Sequence, residues 1–253
     1  MKTKLAFQLY SVHNSIDKDA FSAVRLAAAL GFEGMEFFGN GLWDSAFVKA
    51  VLQDTGLMLA GWHVPLDRMK EGELEKTLDF MSDIGNRALV VPWLPVEMRD
   101  SIDAWKRTSE LFNDLYDKVS ARGMTLGYHN HDFEFKPLDE TGLCGWDIFA
   151  ERTNPGIVLQ LDNGNAMAGG ADPVKVLKTH SGRGRTLHLK PYSRATGYDC
   201  MIGRDDLPWR DFLNEAERQG VTEWYIAEYE SAAMGTDLEG LKIMRESLRE
   251  YGL

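Results

Sequence analysis

A single (β/α)8 barrel is the fold class that the sequence predicts, and three observations lead to it. Short apolar runs rich in β-branched or aromatic residues alternate with longer segments whose apolar residues recur at helical spacing. The alternation repeats at roughly 30-residue intervals and produces eight predicted strands. Glycine repeatedly closes a helical segment just before the next apolar run. Eight such units with right-handed crossovers close into a parallel barrel with its helices outside.

The predicted strands are the apolar runs near residues 4–10, 32–38, 57–63, 87–92, 124–130, 157–162, 185–190 and 224–229. Helices are predicted in the intervals because apolar residues there share one face. In the interval 100–122 this face consists of Trp105, Leu111, Phe112, Leu115 and Val119. Near 237–251 it consists of Leu238, Leu241, Met244, Leu248 and Tyr251. A doubly wound open sheet is the alternative fold.

Six glycines mark the ends of the predicted helices: Gly31, Gly56, Gly85, Gly123, Gly156 and Gly220. A glycine at this position can adopt the left-handed conformation that ends a helix and turns the chain into the next strand. We therefore expect left-handed backbone at these positions. No linker-like stretch or change of composition interrupts the pattern, so residues 1–253 are predicted to form one domain.

Composition and charge exclude several classes of protein. The 253 residues are 44% hydrophobic and 26% charged, which excludes a disordered chain. The net charge of −11 repels phosphate backbones and anionic membranes, so neither nucleic acid nor a membrane is an expected partner. No stretch has the ~20 apolar residues that span a bilayer, and the amino terminus lacks the apolar core of a signal peptide. Cys144 and Cys200 form no metal-type pair, which suits the reducing cytoplasm.

Polar residues gather where the predicted strands end. In a barrel of this kind, functional groups lie at the carboxyl ends of the strands. Those found here are Gln8, Tyr10, Glu36, His63, His129, His131, Asp162, His188, Lys190 and Glu228. The set contains five residues that are plausible ligands of a divalent metal: His129, His131, Asp162, His188 and Glu228. Imidazoles and carboxylates without cysteine suit zinc, manganese, iron or cobalt in an open site.

Four segments resemble the sugar phosphate isomerase/epimerase family of the xylose isomerase-like TIM-barrel superfamily. They are residues 127–135 (Gly-Tyr-His-Asn-His-Asp-Phe-Glu-Phe), 161–165 (Leu-Asp-Asn-Gly-Asn), 187–190 (Leu-His-Leu-Lys) and 226–228 (Ile-Ala-Glu). The resemblance extends from Phe7-Gln8-Leu9-Tyr10-Ser11 to the last strand. The Tyr-His-Asn-His segment marks one branch of the family.

The resemblance implies one divalent metal ion, Mn, Zn, Co, Fe or Mg, held by residues at the ends of strands five to eight. Carried over position by position, the ligands are His129, Asp162, His188 and Glu228. The first is a departure, because the related epimerases have a glutamate at strand five that is both a ligand and a base. His131 and Glu134 are the other residues of this segment that can supply the strand-five ligand.

The implied reaction is isomerisation or epimerisation of a sugar, by proton transfer next to a carbonyl through a metal-stabilised enediolate. His131 or Glu228 would act as acid and base, because imidazole titrates near neutral pH and a carboxylate near a metal stays ionised. Lys190 would neutralise a developing oxyanion or hold a substrate oxygen. The predicted substrate-binding residues are Gln8, Glu36, His63, Trp93 and Lys190.

Other functions remain open at this level. The same groups can expel a leaving group, which gives a dehydratase or lyase acting on a keto-sugar or keto-inositol. A non-catalytic sugar-binding protein with the same barrel is a further alternative. The resemblance includes zinc endonucleases that cut at abasic sites, but Pro92-Trp93 and Asn163-Gly164-Asn165 lack the histidines of their metal cluster. The expected partner is a small-molecule carbohydrate, and the resemblance leaves a homo-oligomer open.

Overall fold

Eight parallel strands close into one barrel in the computed structural model, which describes residues 2–39 and 43–253. Neighbouring strands pair in chain order, and the eighth strand pairs with the first. The predicted (β/α)8 barrel is therefore confirmed, with every strand boundary within two residues of its predicted position. The strands are β1 (Lys4–Gln8), β2 (Gly34–Phe38), β3 (Met58–His63), β4 (Ala88–Val91), β5 (Thr125–His129), β6 (Val158–Asp162), β7 (Thr186–Leu189) and β8 (Trp224–Ala227).

Helices connect successive strands on the outside of the barrel. None of the described helices combines the length and the apolar character that crossing a bilayer requires. The unit that follows β6 carries two short helices instead of one long helix. The helices are α1 (His13–Ala28), α2 (Ser45–Thr55), α3 (Leu74–Asp83), α4 (Ile102–Ala121), α5 (Gly145–Arg152), α6 (Asn163–Ala168), α7 (Pro173–Thr179), α8 (Trp209–Gln219) and α9 (Asp237–Arg249).

The buried apolar residues form two groups because side chains on a strand alternate between its faces. Outward-facing residues such as Phe7, Trp62 and Tyr128 belong to the large core between the strands and the helices. A second, small group fills one end of the barrel interior and consists of Ala6, Ala60, Trp224 and Ile226. The remainder of the interior, toward the carboxyl ends of the strands, is lined with polar side chains.

Five of the six marker glycines have the expected left-handed backbone, with φ between 68° and 89° at Gly31, Gly56, Gly85, Gly123 and Gly220. Gly156 is the exception, since its φ is not positive. A Cβ at this position would lie 2.1 Å from the hydroxyl oxygen of Tyr116 on α4. The expectation for Gly156 is therefore wrong, and close approach of an aromatic side chain explains the glycine instead.

The predicted apolar face of α4 is correct except at Leu111, which is 37% exposed. Trp105, Phe112, Leu115 and Val119 are buried, and the polar residues Thr108 and Ser109 complete the buried face. Both hydroxyls bond to backbone carbonyls: Thr108 to Met98 and Ser109 to Trp105. A hydroxyl that is hydrogen-bonded can be buried at little cost. The pattern of apolar residues alone therefore does not predict that Thr108 and Ser109 are buried.

Candidate metal centre

The ends of β5 to β8 bring together the four residues predicted as metal ligands. His129, Asp162, His188 and Glu228 are all buried, and each offers one ligand atom within 4.8 Å of the others. Two register pairs produce this proximity, because Asp162 lies opposite His188 and His188 lies opposite Ile226, two residues before Glu228. We call these four side chains the ligand group.

The two carboxylate oxygens of Asp162 have different surroundings. Its Oδ1 accepts a hydrogen bond from the backbone N–H of Asn165 at 2.7 Å and so caps the amino terminus of α6. Its Oδ2 is buried and has no hydrogen-bond partner in the described part of the chain. Burial raises the pKa of Asp162 to about 7, while Lys190 opposes that rise and Glu228 adds to it.

His188 bridges two carboxylates inside the barrel. Its Nδ1 donates to Glu228 Oε2 at 2.6 Å, and its Nε2 donates to Glu36 Oε2 at 2.7 Å. Burial opposes the charged imidazolium, but the two neighbouring carboxylates outweigh this and raise the pKa of His188 to about 10. Burial and the adjacent His188 and His63 hold the pKa of His129 well below the ordinary range.

Glu36, which was predicted to bind substrate, lies beneath the ligand group and is fully buried. Its carboxylate is close to four donors. Its Oε1 accepts from Gln160 at 2.8 Å, and its Oε2 accepts from Gln8 at 2.7 Å and lies 3.1 Å from His63 Nε2. The fourth donor is His188. Burial opposes ionisation, but His63 and His188 hold the pKa of Glu36 far below its usual range.

Gln160 connects the remaining histidines to this layer. Its Oε1 is 2.7 Å from His63 Nε2 and 3.0 Å from His129 Nδ1. Its Nε2 donates to Glu36 and to Thr186 Oγ1 at 3.0 Å. Gln160 was not among the site residues predicted from the sequence. The signal was its inward position, two residues before Asp162 on the same face of β6.

Lys190 lies at the edge of the ligand group and is only 4% exposed. Its ammonium is 3.1 Å from Glu230 Oε1 and 3.9 Å from Glu228 Oε1. Burial opposes the charge, but Glu228 and Asp162 raise the pKa of Lys190 above its ordinary value. The Tyr198 ring lies 5.1 Å from the ammonium, and its hydroxyl donates to Asn165 Oδ1 at 2.7 Å. Glu230 and Tyr198 were not predicted as site residues, because they lie on loops beyond the strand ends.

His131 and Trp93 form an aromatic wall beside the ligand group. The His131 ring meets the Trp93 ring edge-on at 4.7 Å, stacks on Phe133 at 5.6 Å and lies 5.3 Å from the His129 ring. Trp93 is 50% exposed. His131 Nδ1 is covered and has no hydrogen-bond partner among the described residues. Burial and the positive charge of Lys190 lower the pKa of His131 to about 4, so its imidazole is neutral at pH 7.

Glu134 lies away from the ligand group. Its carboxylate accepts from the Tyr128 hydroxyl and, at 2.8 Å, from the backbone N–H of His131. Because Tyr128 faces outward from β5 and His129 faces inward, Glu134 lies behind the strand. His129 lies in the ligand group. Glu134 instead stabilises the loop that carries His131.

The chemistry of the ligand group fits a divalent cation. Two imidazoles and two carboxylates match the preferences of zinc, manganese, iron and cobalt. The unpartnered Asp162 Oδ2 is a buried acceptor of the kind that needs a partner, and a cation satisfies that need. His188 also donates its second nitrogen to a carboxylate, as metal-bound histidines commonly do.

Comparisons with known proteins agree with this fold. Residues 24–251 match the family described as xylose isomerase-like TIM barrel. The chain therefore belongs to the xylose isomerase-like TIM-barrel family. No curated protein matches the chain. The marking of a separate branch by Tyr128-His129-Asn130-His131 stays a prediction.

Solved structures with the same fold include proteins of several functions. A sugar phosphate isomerase/epimerase from Parabacteroides distasonis has 22% identity and a TM-score of 0.84, with 98% of each chain covered. An AP endonuclease of family 2 from Brucella melitensis has 18% identity and a TM-score of 0.72, with 95% of this chain and 97% of that chain covered. The IOLI protein with a bound zinc atom has 12% identity and a TM-score of 0.72, with 98% of this chain and 97% of that chain covered. At these identities the likeness shows the fold alone.

Proposed function

We propose that the protein is a metal-dependent isomerase or epimerase of a sugar or sugar derivative. One observation carries the proposal: His129, Asp162, His188 and Glu228 turn ligand atoms toward one another within 4.8 Å, and Asp162 Oδ2 has no other described partner. A divalent cation bound there, Mn, Zn, Co, Fe or Mg, would polarise a substrate carbonyl and stabilise negative charge on its oxygen. The residues around this group then bind the sugar and move the proton.

Lys190 is the proposed partner of the substrate oxygen on which negative charge develops. Its ammonium is held between Glu228 and Glu230 without belonging to the ligand group. Because the side chain is 4% exposed, water screens its charge weakly and its interaction with an oxyanion is strong. Trp93, half exposed at the rim, is the proposed surface on which an apolar sugar face stacks.

Glu228 and His131 are the proposed acid and base. They follow β8 and β5, which lie three strands apart in the ring, so they approach a bound sugar from different sides. Glu228 Oε2 accepts a 2.6 Å hydrogen bond from His188 Nδ1, which orients its carboxylate. His131 has an unpartnered Nδ1 and a ring held by Trp93 and Phe133, which keeps the imidazole in one orientation.

A dehydratase or lyase acting on a keto-sugar or keto-inositol is the second candidate, and the residue at strand five favours it. His129 stands where the related epimerases have a glutamate, and its Nδ1 is hydrogen-bonded to Gln160. A histidine that holds a metal through its other nitrogen has no site for a transferred proton. Elimination needs a single base, Glu228 or His131, because the proton that this base takes from the carbon can be passed on to the leaving group.

An abasic-site endonuclease has less support from the site. Trp93 follows β4, and Asn163 and Asn165 follow Asp162, so the additional histidines of a larger metal cluster have no counterpart there. The net charge of −11 also opposes binding of a nucleic acid backbone. We propose a small-molecule carbohydrate as the partner. A cytoplasmic location is supported by the two free cysteines, Cys144 and Cys200.

Metal content and hydrogen exchange together test the proposal. Elemental mass spectrometry of the purified protein, before and after chelation and reloading with manganese or zinc, should find about one ion per chain. Proton NMR in D2O with a panel of ketoses, aldoses and keto-inositols should then show deuterium entering the carbon next to the carbonyl. Loss of water from the substrate would instead identify the lyase. Binding of sugar without metal or turnover would identify a sugar-binding protein and refute both enzymes.

A further inference from the structure

A layer of buried polar side chains lies directly below the ligand group and links its two histidines. We propose that Glu36 and Gln160 fix these histidines in opposite tautomers, so that His129 presents Nε2 to the cation and His188 presents Nδ1. The inference deepens the proposed function, since it assumes that the ligand group binds a metal. It assigns Glu36 and Gln160 as positioning residues, whereas Glu36 was predicted to contact substrate.

The Glu36 carboxylate is surrounded by nitrogen donors. It lies within 3.1 Å of nitrogen donors from Gln8, Gln160, His63 and His188, and it is fully buried. Gly61 leaves the space for it, because a Cβ there would lie 2.9 Å from Glu36 Oε1. An ionised carboxylate accepts hydrogen bonds and cannot donate them. Every group that faces Glu36 must therefore supply a hydrogen.

The Gln160 amide has one orientation that suits its neighbours. Its Nε2 lies 2.8 Å from Glu36 Oε1, and only an N–H group can face an ionised carboxylate at that distance. The reversed amide would place its carbonyl oxygen against the carboxylate and is excluded by repulsion. The orientation of Gln160 is thus set by Glu36, and its Oε1 must point toward His63 and His129.

The ring hydrogen of His129 lies on the nitrogen that faces Gln160. A carbonyl oxygen only accepts, so the His129 nitrogen 3.0 Å from Gln160 Oε1 carries the hydrogen. That nitrogen is Nδ1. In the neutral imidazole the other nitrogen, Nε2, keeps its lone pair, and it lies 4.0 Å from Asp162 Oδ2. His129 therefore presents Nε2 to the ligand group.

His188 presents the other ring nitrogen, Nδ1, to the ligand group. Glu36 accepts from its Nε2 at 2.7 Å, so this nitrogen carries a hydrogen. The nitrogen that remains for the ligand group is Nδ1, which lies 2.6 Å from Glu228 Oε2. A cation bound to Nδ1 takes the place of the hydrogen there. One carboxylate thus orients both histidines, His188 directly and His129 through Gln160.

Nitrogen NMR of the metal-free protein tests the tautomers without any substitution. The chain has six histidines, and long-range 15N–1H spectra distinguish Nδ1–H, Nε2–H and doubly protonated rings. We expect His129 in the Nδ1–H form and a hydrogen on Nε2 of His188. Assignment follows from histidine-to-glutamine variants taken one at a time. A His129 signal of the Nε2–H form would overturn the inference.

Two variants test the effect on metal binding, with Co²⁺ as the probe because its visible spectrum reports ligand geometry. Glu36→Gln and Gln160→Met should each weaken Co²⁺ binding by about 10–100-fold, the usual loss for an outer partner of a metal ligand. Both should also change the visible spectrum. Gln160→Met should convert part of His129 to the Nε2–H tautomer, which simple loss of packing would leave unchanged.

Matched controls change the same residue types outside the site. Glu33→Gln removes a carboxylate that lies just before β2 and accepts a hydrogen bond from the Leu5 backbone N–H. Gln219→Met removes an amide that bonds to Leu177 and Gly182. Both controls should bind Co²⁺ like the wild type. Unchanged Co²⁺ affinity and spectrum in folded Glu36→Gln and Gln160→Met would refute the inference while leaving the proposed function intact. Absence of Co²⁺ binding by the wild type would refute the proposed function, and the metal-free NMR would still decide the tautomers.

Discussion

Asp162 and Asn165 are joined by a 2.7 Å hydrogen bond from the Asn165 backbone N–H to Asp162 Oδ1, which leaves Asp162 Oδ2 buried and unpartnered in the described structure. Asp162 is therefore both the cap of α6 and a candidate metal ligand. The geometry accommodates both because each carboxylate oxygen has its own task. Because Oδ1 forms the helix cap, a substitution that changes Oδ2 can report the contribution of Oδ2 to metal binding.

Asp162→Asn should reduce metal affinity by at least about 10–100-fold and reduce activity with it, because an amide is a poorer ligand than a carboxylate. Elemental mass spectrometry and a steady-state assay measure the two effects. Asp172→Asn is the matched control, since Asp172 caps α7 by the same kind of bond and lies outside the ligand group. Full metal content and activity in Asp162→Asn would contradict a metal centre at these residues.

Lys190→Met should lower kcat by about 10²–10³-fold while leaving metal content close to one ion per chain, because the ammonium stabilises a charge that develops during the reaction. Lys49→Met serves as a control, since it removes a surface ion pair with Asp83. An equal loss of metal and activity would instead make Lys190 a support of Glu228, from which its ammonium lies 3.9 Å.

Glu134→Gln should change how stability depends on pH. Burial raises the pKa of Glu134 to about 8, above the ordinary value of 4.5 in the unfolded chain. Between these values the unfolded chain releases a proton that the folded protein keeps, so this group lowers the free energy of unfolding as pH rises from 4.5 to 8. Urea unfolding at pH 5 and pH 8 measures this change in the free energy of unfolding. We expect the variant to be more stable than the wild type, by on the order of a few kcal/mol, at pH 8 only. A pH-independent difference would contradict the raised pKa.

Gly164→Ala should destabilise the protein by about 1–3 kcal/mol, because a Cβ there would lie 2.5 Å from the backbone carbonyl oxygen of Lys190. That contact joins the ends of β6 and β7, so separating them also moves Asp162 relative to His188. Urea unfolding and metal titration would measure the two effects in the same variant. If the variant had the stability and the metal affinity of the wild type, the segments that follow β6 and β7 would have moved apart without loss of free energy.

Much of the fold could be predicted because its signals are local. A buried strand in a parallel barrel is a short apolar run, and the helix that follows has an apolar stripe, so each unit can be recognised in the sequence alone. Errors arose where a residue's role depends on a distant partner. Leu111 belongs to the periodic pattern of α4 but is exposed, and Gly156 is a glycine because of Tyr116, forty residues before it in the chain.

The residues of the ligand group were predicted for a similar reason. Parallel strands bring their carboxyl ends to one end of the barrel, so polar residues at those ends must meet there. His129, Asp162, His188 and Glu228 follow from that rule and from the resemblance of their segments to a known family. Their roles as ligands, and those of His131 and Lys190 in proton transfer, stay predictions that the variants above test.

The sequence by itself determined the strand-helix alternation, the closed barrel and the polar residues at its carboxyl end, because these depend on periodicity and chain direction. Only the tertiary structure decided which polar side chain faces which. It placed Glu134 behind β5, bonded to Tyr128, and it placed Glu36 and Gln160 beneath His188 and His129. Hydrogen-bond partners across a barrel come from strands far apart in the chain, and their pairing is set by register and side-chain direction, which no local pattern contains.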